Sequence, residues 1–210
     1  MNQELYDLLK KCVDHTGLPV MQKELFLNTT DKYGKEEFRI TLAEFITKEK
    51  PPYPLKKYNM EKVVDNFRKL QKADFTKYLS KPTNVMEKYD DYKYSYKEYG
   101  LGVIDGPSTF NYCADSFMND LRMSCGSYGF KSPVQRWNDG DNIWGAFGPI
   151  WRGVNDSKSL QPKTYTMSFR LGTYIATQFK PIVAKTIYNM TDAKTILDTS
   201  MGWGDRLTAF

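Results

Sequence analysis

The chain is poor in the residues that most enzymes use for acid, base and nucleophilic work. It has one histidine, His15, and three cysteines, Cys12, Cys113 and Cys125, in 210 residues. A Ser-His-Asp or Cys-His catalytic unit would have to use an imidazole at the end of the first predicted helix, an exposed position unsuited to that chemistry. An odd number of cysteines in a chain of this size argues against a disulfide framework and for a reducing compartment. No apolar run approaches the roughly 20 residues of a membrane span, and the opening Met-Asn-Gln-Glu-Leu-Tyr-Asp has neither the basic flank nor the apolar stretch of a signal peptide. The expectation is a soluble, intracellular, cytoplasmic protein with no membrane partner. A Gly-x-x-x-x-Gly-Lys-Ser/Thr phosphate loop and a complete Gly-x-Gly-x-x-Gly fingerprint are both lacking, which argues against ATP and dinucleotide chemistry. Charge of one sign is not in large excess either. Thirty Lys and Arg against 25 Asp and Glu give +5, which tolerates a polyanionic partner without demanding one.

What the chain does have is enough apolar material for a core, at 40% hydrophobic residues, and a marked change of composition along its length. Residues 1–100 are rich in Lys and Tyr, and apolar positions recur there at helical spacing in three places. These are Leu5, Leu8, Leu9 and Val13; then Phe38, Leu42, Phe45 and Ile46; then Val63, Val64, Phe67 and Leu70. The stops predicted for the three helices are Gly17 and Pro19, Pro51-Pro52, and the region of Ala73. Tyrosine alternates with charge between Tyr89 and Tyr99, suiting a half-buried strand or an extended linker. Residues 101–163 are rich in Gly and Trp and read as loops, with a short helix around Phe117 to Met123. In residues 164–210, the alternation of Tyr165, Met167 and Phe169 with Thr164, Thr166 and Ser168 reads as a strand over 164–169. A helix is predicted from Ile182 to Met190 with Pro181 in its first turn, followed by a short buried strand over 195–197.

Asp198 stands at the carboxyl end of that predicted strand and is followed by Ser200, Gly202 and Gly204. Glycines there let the chain turn sharply and let a nucleotide-like ligand approach the backbone. The pattern Leu197-Asp198-x-Ser200-x-Gly202-x-Gly204 resembles motif I of class I S-adenosylmethionine-dependent methyltransferases. Gln178-Phe179-Lys180-Pro181, one helix upstream, resembles the Gln-Lys-Pro element that precedes motif I in many DNA amino-methyltransferases, here with Phe179 inserted. The extended form, with Ala184-Lys185 and Gly-Trp-Gly-Asp-Arg-Leu, is most similar to methyltransferase-like proteins of phages and large DNA viruses, and covers about residues 170–210. The resemblance implies an α/β fold: a helical amino-terminal region, a loop-rich middle, then the first strand and cofactor loop of a Rossmann-like sheet. It further implies methyl transfer from S-adenosylmethionine to an exocyclic amine of adenine or cytosine in DNA. Asp198, Ser200, Gly202 and Gly204 would then line the cofactor, with Lys180 and Pro181 close by. Phe210 follows Asp198 by 12 residues, so the acidic ribose ligand found about 20 positions further on in related dinucleotide folds has no counterpart. Two expectations follow: an amino-terminal piece of a longer enzyme whose catalytic loop lies beyond residue 210, which the end inside a presumptive helix favours, or a short protein that has lost catalysis.

Other constellations have plainer readings. Cys12 and His15 form half a zinc site that Cys113 and Cys125 are badly spaced to complete. Lys50-Pro51-Pro52-Tyr53 is a helix stop, with lysine where the acceptor of an amine-holding Pro-Pro-Tyr loop would stand. Trp137, Trp144 and Trp151 recur every seven residues; packing is their plainer job, while Trp137, Asn138 and Trp144 stand as candidate substrate contacts. The mixed basic and aromatic segment from Lys88 to Lys97 reads as a solvated strand face. The rival reading of the whole chain is a nucleic-acid-binding or virion-associated interaction protein with no cofactor. A third is an α/β enzyme with another nucleotide-like ligand at the same turn. The polypeptide by itself is expected to methylate nothing, and turnover of tritiated S-adenosylmethionine on DNA by the purified chain would contradict that.

Overall fold

The computed structural model describes residues 2–80, 103–104, 106–140, 143–152 and 155–210. The tyrosine and charge alternation of Tyr89 to Tyr99, and with it Lys88 to Lys97, lies outside them. The chain divides into two compact units, each assembled from separated stretches: Met1–Lys56 with Asp120–Ala176, and Lys57–Asn119 with Thr177–Phe210. The composition blocks run consecutively, whereas these units interleave.

The first unit is helical. Asn2 caps α1 (Gln3–Lys11) by accepting from the Leu5 amide at 3.1 Å, and Leu5 and Leu9 sit one turn apart on its buried face. After α2 (Lys23–Tyr33), α3 (Lys35–Glu49) buries Phe38, Leu42, Phe45 and Ile46, the stripe anticipated from their spacing. It ends at Lys50 in the left-handed region, directly before Pro51-Pro52, which cannot continue a helix. The helix α5 (Tyr112–Ser124) runs across the division between the units. In α6 (Pro133–Asp139) the Ser132 side chain and Gln135 form a reciprocal cap, Pro133 fills the first turn, and Gly140 closes the helix at φ 67°. Then come α7 (Ile143–Phe147), a 3-10 turn (Gly148–Trp151) and α8 (Pro162–Gly172).

The core of this unit gathers on the indole of Trp137, which is 3% exposed. The rings of Phe169, Tyr53, Tyr165 and Phe147 surround it at 5.1, 5.5, 5.9 and 6.2 Å, mostly edge to face. Its Nε1–H donates to the Pro51 carbonyl at 2.7 Å, so the polar atom of a buried ring is satisfied by the end of α3.

The second unit contains α4 (Met60–Gln71), capped by Asn59, a 3-10 turn (Phe75–Tyr78), and the strands β1 (Leu79–Ser80) and β2 (Val103–Ile104), paired antiparallel. A second 3-10 turn (Ser108–Asn111), the start of α5, α9 (Pro181–Met190) and α10 (Asp205–Ala209) complete it. Of the third predicted stripe, Val63 and Leu70 are buried, while Val64 and Phe67 are partly exposed.

The α/β expectation is overturned: the protein is mostly helical, and the pair β1–β2 is the only sheet among the described residues. Two predicted strands fail for different reasons. Residues 164–169 lie inside α8, where Tyr165, Ser168 and Phe169 form a buried face at spacings of three and four. Pro162 starts that helix, and the apparent period of two came from small hydroxyl residues that suit either structure. Residues 195–197 are irregular, and Leu197 is 89% exposed. Three residues with no described neighbouring strand cannot pair their backbone, and a lone strand has no stability of its own. The Rossmann-like opening strand is therefore not formed. The middle of the chain also carries more helix than expected, in α5, α6 and α7, and α2 went unread because its buried Phe26, Thr29 and Thr30 form a weak stripe.

If the aromatic cluster holds this unit, Trp137→Ala costs about 3–5 kcal/mol in urea unfolding. Trp144→Ala, at a ring 38% exposed under the Arg39 guanidinium, costs about 1 kcal/mol. Equal costs would contradict the assignment of the core to Trp137.

Candidate functional site

The two halves of the sequence motif meet within the second unit. Residues 177–180 run extended into α9, and Pro181 occupies its first turn, buried, where a missing N–H costs nothing. After α9 the chain is irregular to Met201 and then turns through Gly202 at φ 64° and Gly204 at φ 80° into α10. Both glycines take the left-handed conformation that side chains resist.

Gln178 joins the halves. Its amide nitrogen donates to Asp205 Oδ1 at 2.7 Å and to Asp115 Oδ1 at 3.0 Å, while its carbonyl accepts from Asn111 Nδ2 at 3.1 Å. Asp205, 2% exposed, opens α10. A second tie runs from Trp203 Nε1 to the Thr177 carbonyl at 3.0 Å. Lys180 donates its ammonium to the Gly106 carbonyl. Gly106 must be glycine there, because a Cβ would overlap the Ile182 side chain of α9.

Asp198 is held by Arg206 in a two-pronged ion pair, Nε to Oδ2 at 2.7 Å and Nη2 to Oδ1 at 3.1 Å, and it accepts the Ser200 amide at 3.0 Å. Arg206, and after it the Ser200 amide, hold the Asp198 carboxyl below its ordinary value; Asp198 in turn raises the guanidinium. The Arg206 guanidinium also lies 5.7 Å from the Phe179 ring centroid. Behind this loop, burial raises the Tyr188 phenol, with Asp198 adding to it, and burial lowers the Lys185 ammonium.

Of the residues singled out from sequence, Lys180, Pro181, Asp198, Ser200, Gly202 and Gly204 thus belong to one unit. Lys180 is engaged with Gly106, and Pro181 is packed in the helix start. The three candidate substrate contacts lie in the other unit, and Trp137 is a correction: its indole is committed to the core and has no face left for a ligand. Asn138 is exposed on α6. Trp144 lies under Arg39, whose guanidinium is 3.7 Å from its ring centroid and donates to the Trp144 carbonyl at 2.8 Å. Trp151 packs on Phe26 and Phe38. Among the described residues, no three His, Cys, Asp or Glu side chains come together as metal ligands. Sequence reasoning missed Asn111, Asp115 and Gly106, which no motif marks. It also missed a cavity of about 450 Å³ in the first unit, lined among others by Gln22, Asn155, Ser159, Lys163 and Thr164.

No family model matches the chain, and no curated protein or solved structure matches it either.

The ion pair sets a pH dependence. A carboxyl lowered on folding stabilises the loop above its ordinary value of 3.8, and that contribution is lost as pH falls through the lowered value. The Asp198 carboxyl carbon should titrate in NMR with a midpoint below 3.8, moving back up in Arg206→Ala. A wild-type midpoint at 3.8 or higher would refute the pairing.

Proposed function

We propose that the chain binds S-adenosylmethionine at the glycine turn 198–204 and serves methyl transfer to an exocyclic amine of adenine or cytosine in DNA. The observation that carries this reading is the pair of ties from residues 177–178 to residues 203–205, at 3.0 and 2.7 Å. Two stretches separated by α9 resemble consecutive elements of one cofactor site, and they touch.

The residues at the turn fit such a ligand. A carboxylate has about four acceptor positions. At Asp198 two are taken by Arg206 and one by the Ser200 amide, which leaves room for one donor from an α-ammonium group. A Cβ at Gly204 would meet nothing within 4 Å, and at Gly202 only the Ser200 carbonyl at 3.9 Å, so the turn is open to an approaching molecule. When bound, the cofactor supplies an electrophilic methyl group on a sulfonium. The part of this chain is to bind and orient: Asp198 holds the ammonium, Arg206 holds Asp198, and Gln178 holds the base of α10. Positioning and stabilisation of developing charge suffice for attack by an exocyclic amine, so this reading needs no general-base histidine.

Isothermal titration with S-adenosylmethionine and S-adenosylhomocysteine tests this. The wild-type chain is expected to bind both, Asp198→Ala to lose at least tenfold in affinity, and Gln178→Ala to weaken binding as α10 loosens, with far-UV circular dichroism unchanged for Asp198→Ala. A wild-type chain that binds neither ligand at millimolar concentration would overturn the proposal. Salt-sensitive DNA binding by such a chain would favour the cofactor-free nucleic-acid-binding reading.

A further inference from the structure

In the first unit a tight hairpin displays aromatic rings to solvent. Ser127 and Phe130 exchange both backbone hydrogen bonds, amide to carbonyl, at 2.9 and 2.8 Å, so the loop between them is only Tyr128-Gly129. Gly129 takes φ 75°, the left-handed conformation a two-residue turn demands. Tyr128 at the tip is wholly exposed. Phe130 is 65% exposed, and its ring stacks on Tyr174 at 6.3 Å with 29° between the planes. Tyr174, itself 38% exposed, follows the end of α8.

The hairpin is anchored. A Cβ on Gly126 would collide with the Gln135 side chain and come within 2.9 Å of the Phe130 carbonyl. Gln135 is the residue that closes the cap of α6, accepting the Ser132 amide at 2.9 Å. The turn therefore sits against the capped start of a helix, and its rings are exposed on a built support.

The stretches of chain that carry these rings hold more cations than anions. Residues 120–139 together with 170–174 carry Arg122, Lys131, Arg136 and Arg170 against Asp120 and Asp139, a twofold excess where the whole chain has 30 against 25. Lys131 pairs with Asp139 at 3.0 Å, and Arg170 is exposed on α8, four residues before Tyr174. Neighbouring rings exposed together form the kind of surface that marks an interaction site. Aromatic planes set among cations suit a partner that offers flat rings and regularly spaced anions together, which is the chemistry of an unpaired nucleic-acid strand.

We propose that Tyr128, Phe130 and Tyr174 form a stacking surface for the bases of single-stranded nucleic acid, with Arg170 meeting its phosphates. This surface lies in the unit that does not hold the glycine turn, uses none of the residues that would hold S-adenosylmethionine, and stands whatever that titration shows. Tryptophans drew attention to this unit in the sequence, but the rings that face outward are these.

The probe is a fluorescein-labelled oligothymidylate of 20 nucleotides, followed by fluorescence anisotropy without any cofactor and compared with a duplex of equal length. The single strand is expected to bind more tightly than the duplex and to weaken as salt rises. Tyr128→Ala and Phe130→Ala should each lower affinity about tenfold with unchanged circular dichroism, and Tyr128→Trp should retain binding. Arg170→Ala should reduce the slope of log affinity against log salt by about 0.7. The proposal is overturned if the strand does not bind at low salt, or if the ring variants bind like wild type. It is equally overturned if sedimentation shows self-association that Tyr128→Ala abolishes, which would make the occupant a second copy of the chain.

Discussion

The first unit depends on one buried indole. Trp137 brings four other rings to within about 6 Å of its own and donates its single polar hydrogen to the carbonyl of Pro51. Tyr53, Phe147, Tyr165 and Phe169 come from distant parts of the chain, so the cluster closes contacts that local structure alone could not. The hydrogen bond matters as much as the area buried. An indole N–H shut away from water without an acceptor is costly, and the acceptor exists because α3 stops at Lys50 and Pro51 leaves its carbonyl free of the helix.

The second unit has a polar counterpart in Gln178. An amide side chain can donate twice and accept twice, and here it spends those capacities on Asp115, Asp205 and Asn111 at the same time. The result is that the segment before α9 and the start of α10 are held together across α9. Arg206 and Asp198 add a second closure on the exposed side of the same turn. The glycine turn is thus tied on both flanks, though the loop itself contains little regular structure, and its form depends on side-chain bonds more than on a sheet.

The legibility of the chain followed the range of the physics involved. The end of α3 and the start of α9 were readable because Pro51-Pro52 and Pro181 act on their immediate neighbours. The stripe of α3 was readable because four large apolar residues leave a single sensible face. The strand expected over 164–169 shows the opposite case: Thr and Ser fit an alternating pattern and a helical one equally, and the tie is broken only by what Tyr165 and Phe169 pack against. Of the candidate site, the motif residues were visible, and the grouping of its two halves was implied. Asn111, Asp115 and Gly106 were invisible, since a polar residue acquires its role only when a distant partner arrives.

By itself the sequence determined where α3 stops and α9 starts, which residues of α3 turn inward, and that 198–204 would turn on glycines, because propensity, capping and steric permission operate over a few residues. Tertiary structure alone decided that 195–197 would not become a strand, that Trp137 would be core while Trp144 stays near the surface, and that Tyr128 and Phe130 would face solvent. Strand pairing and burial both require a second surface, and no stretch of a chain contains its own.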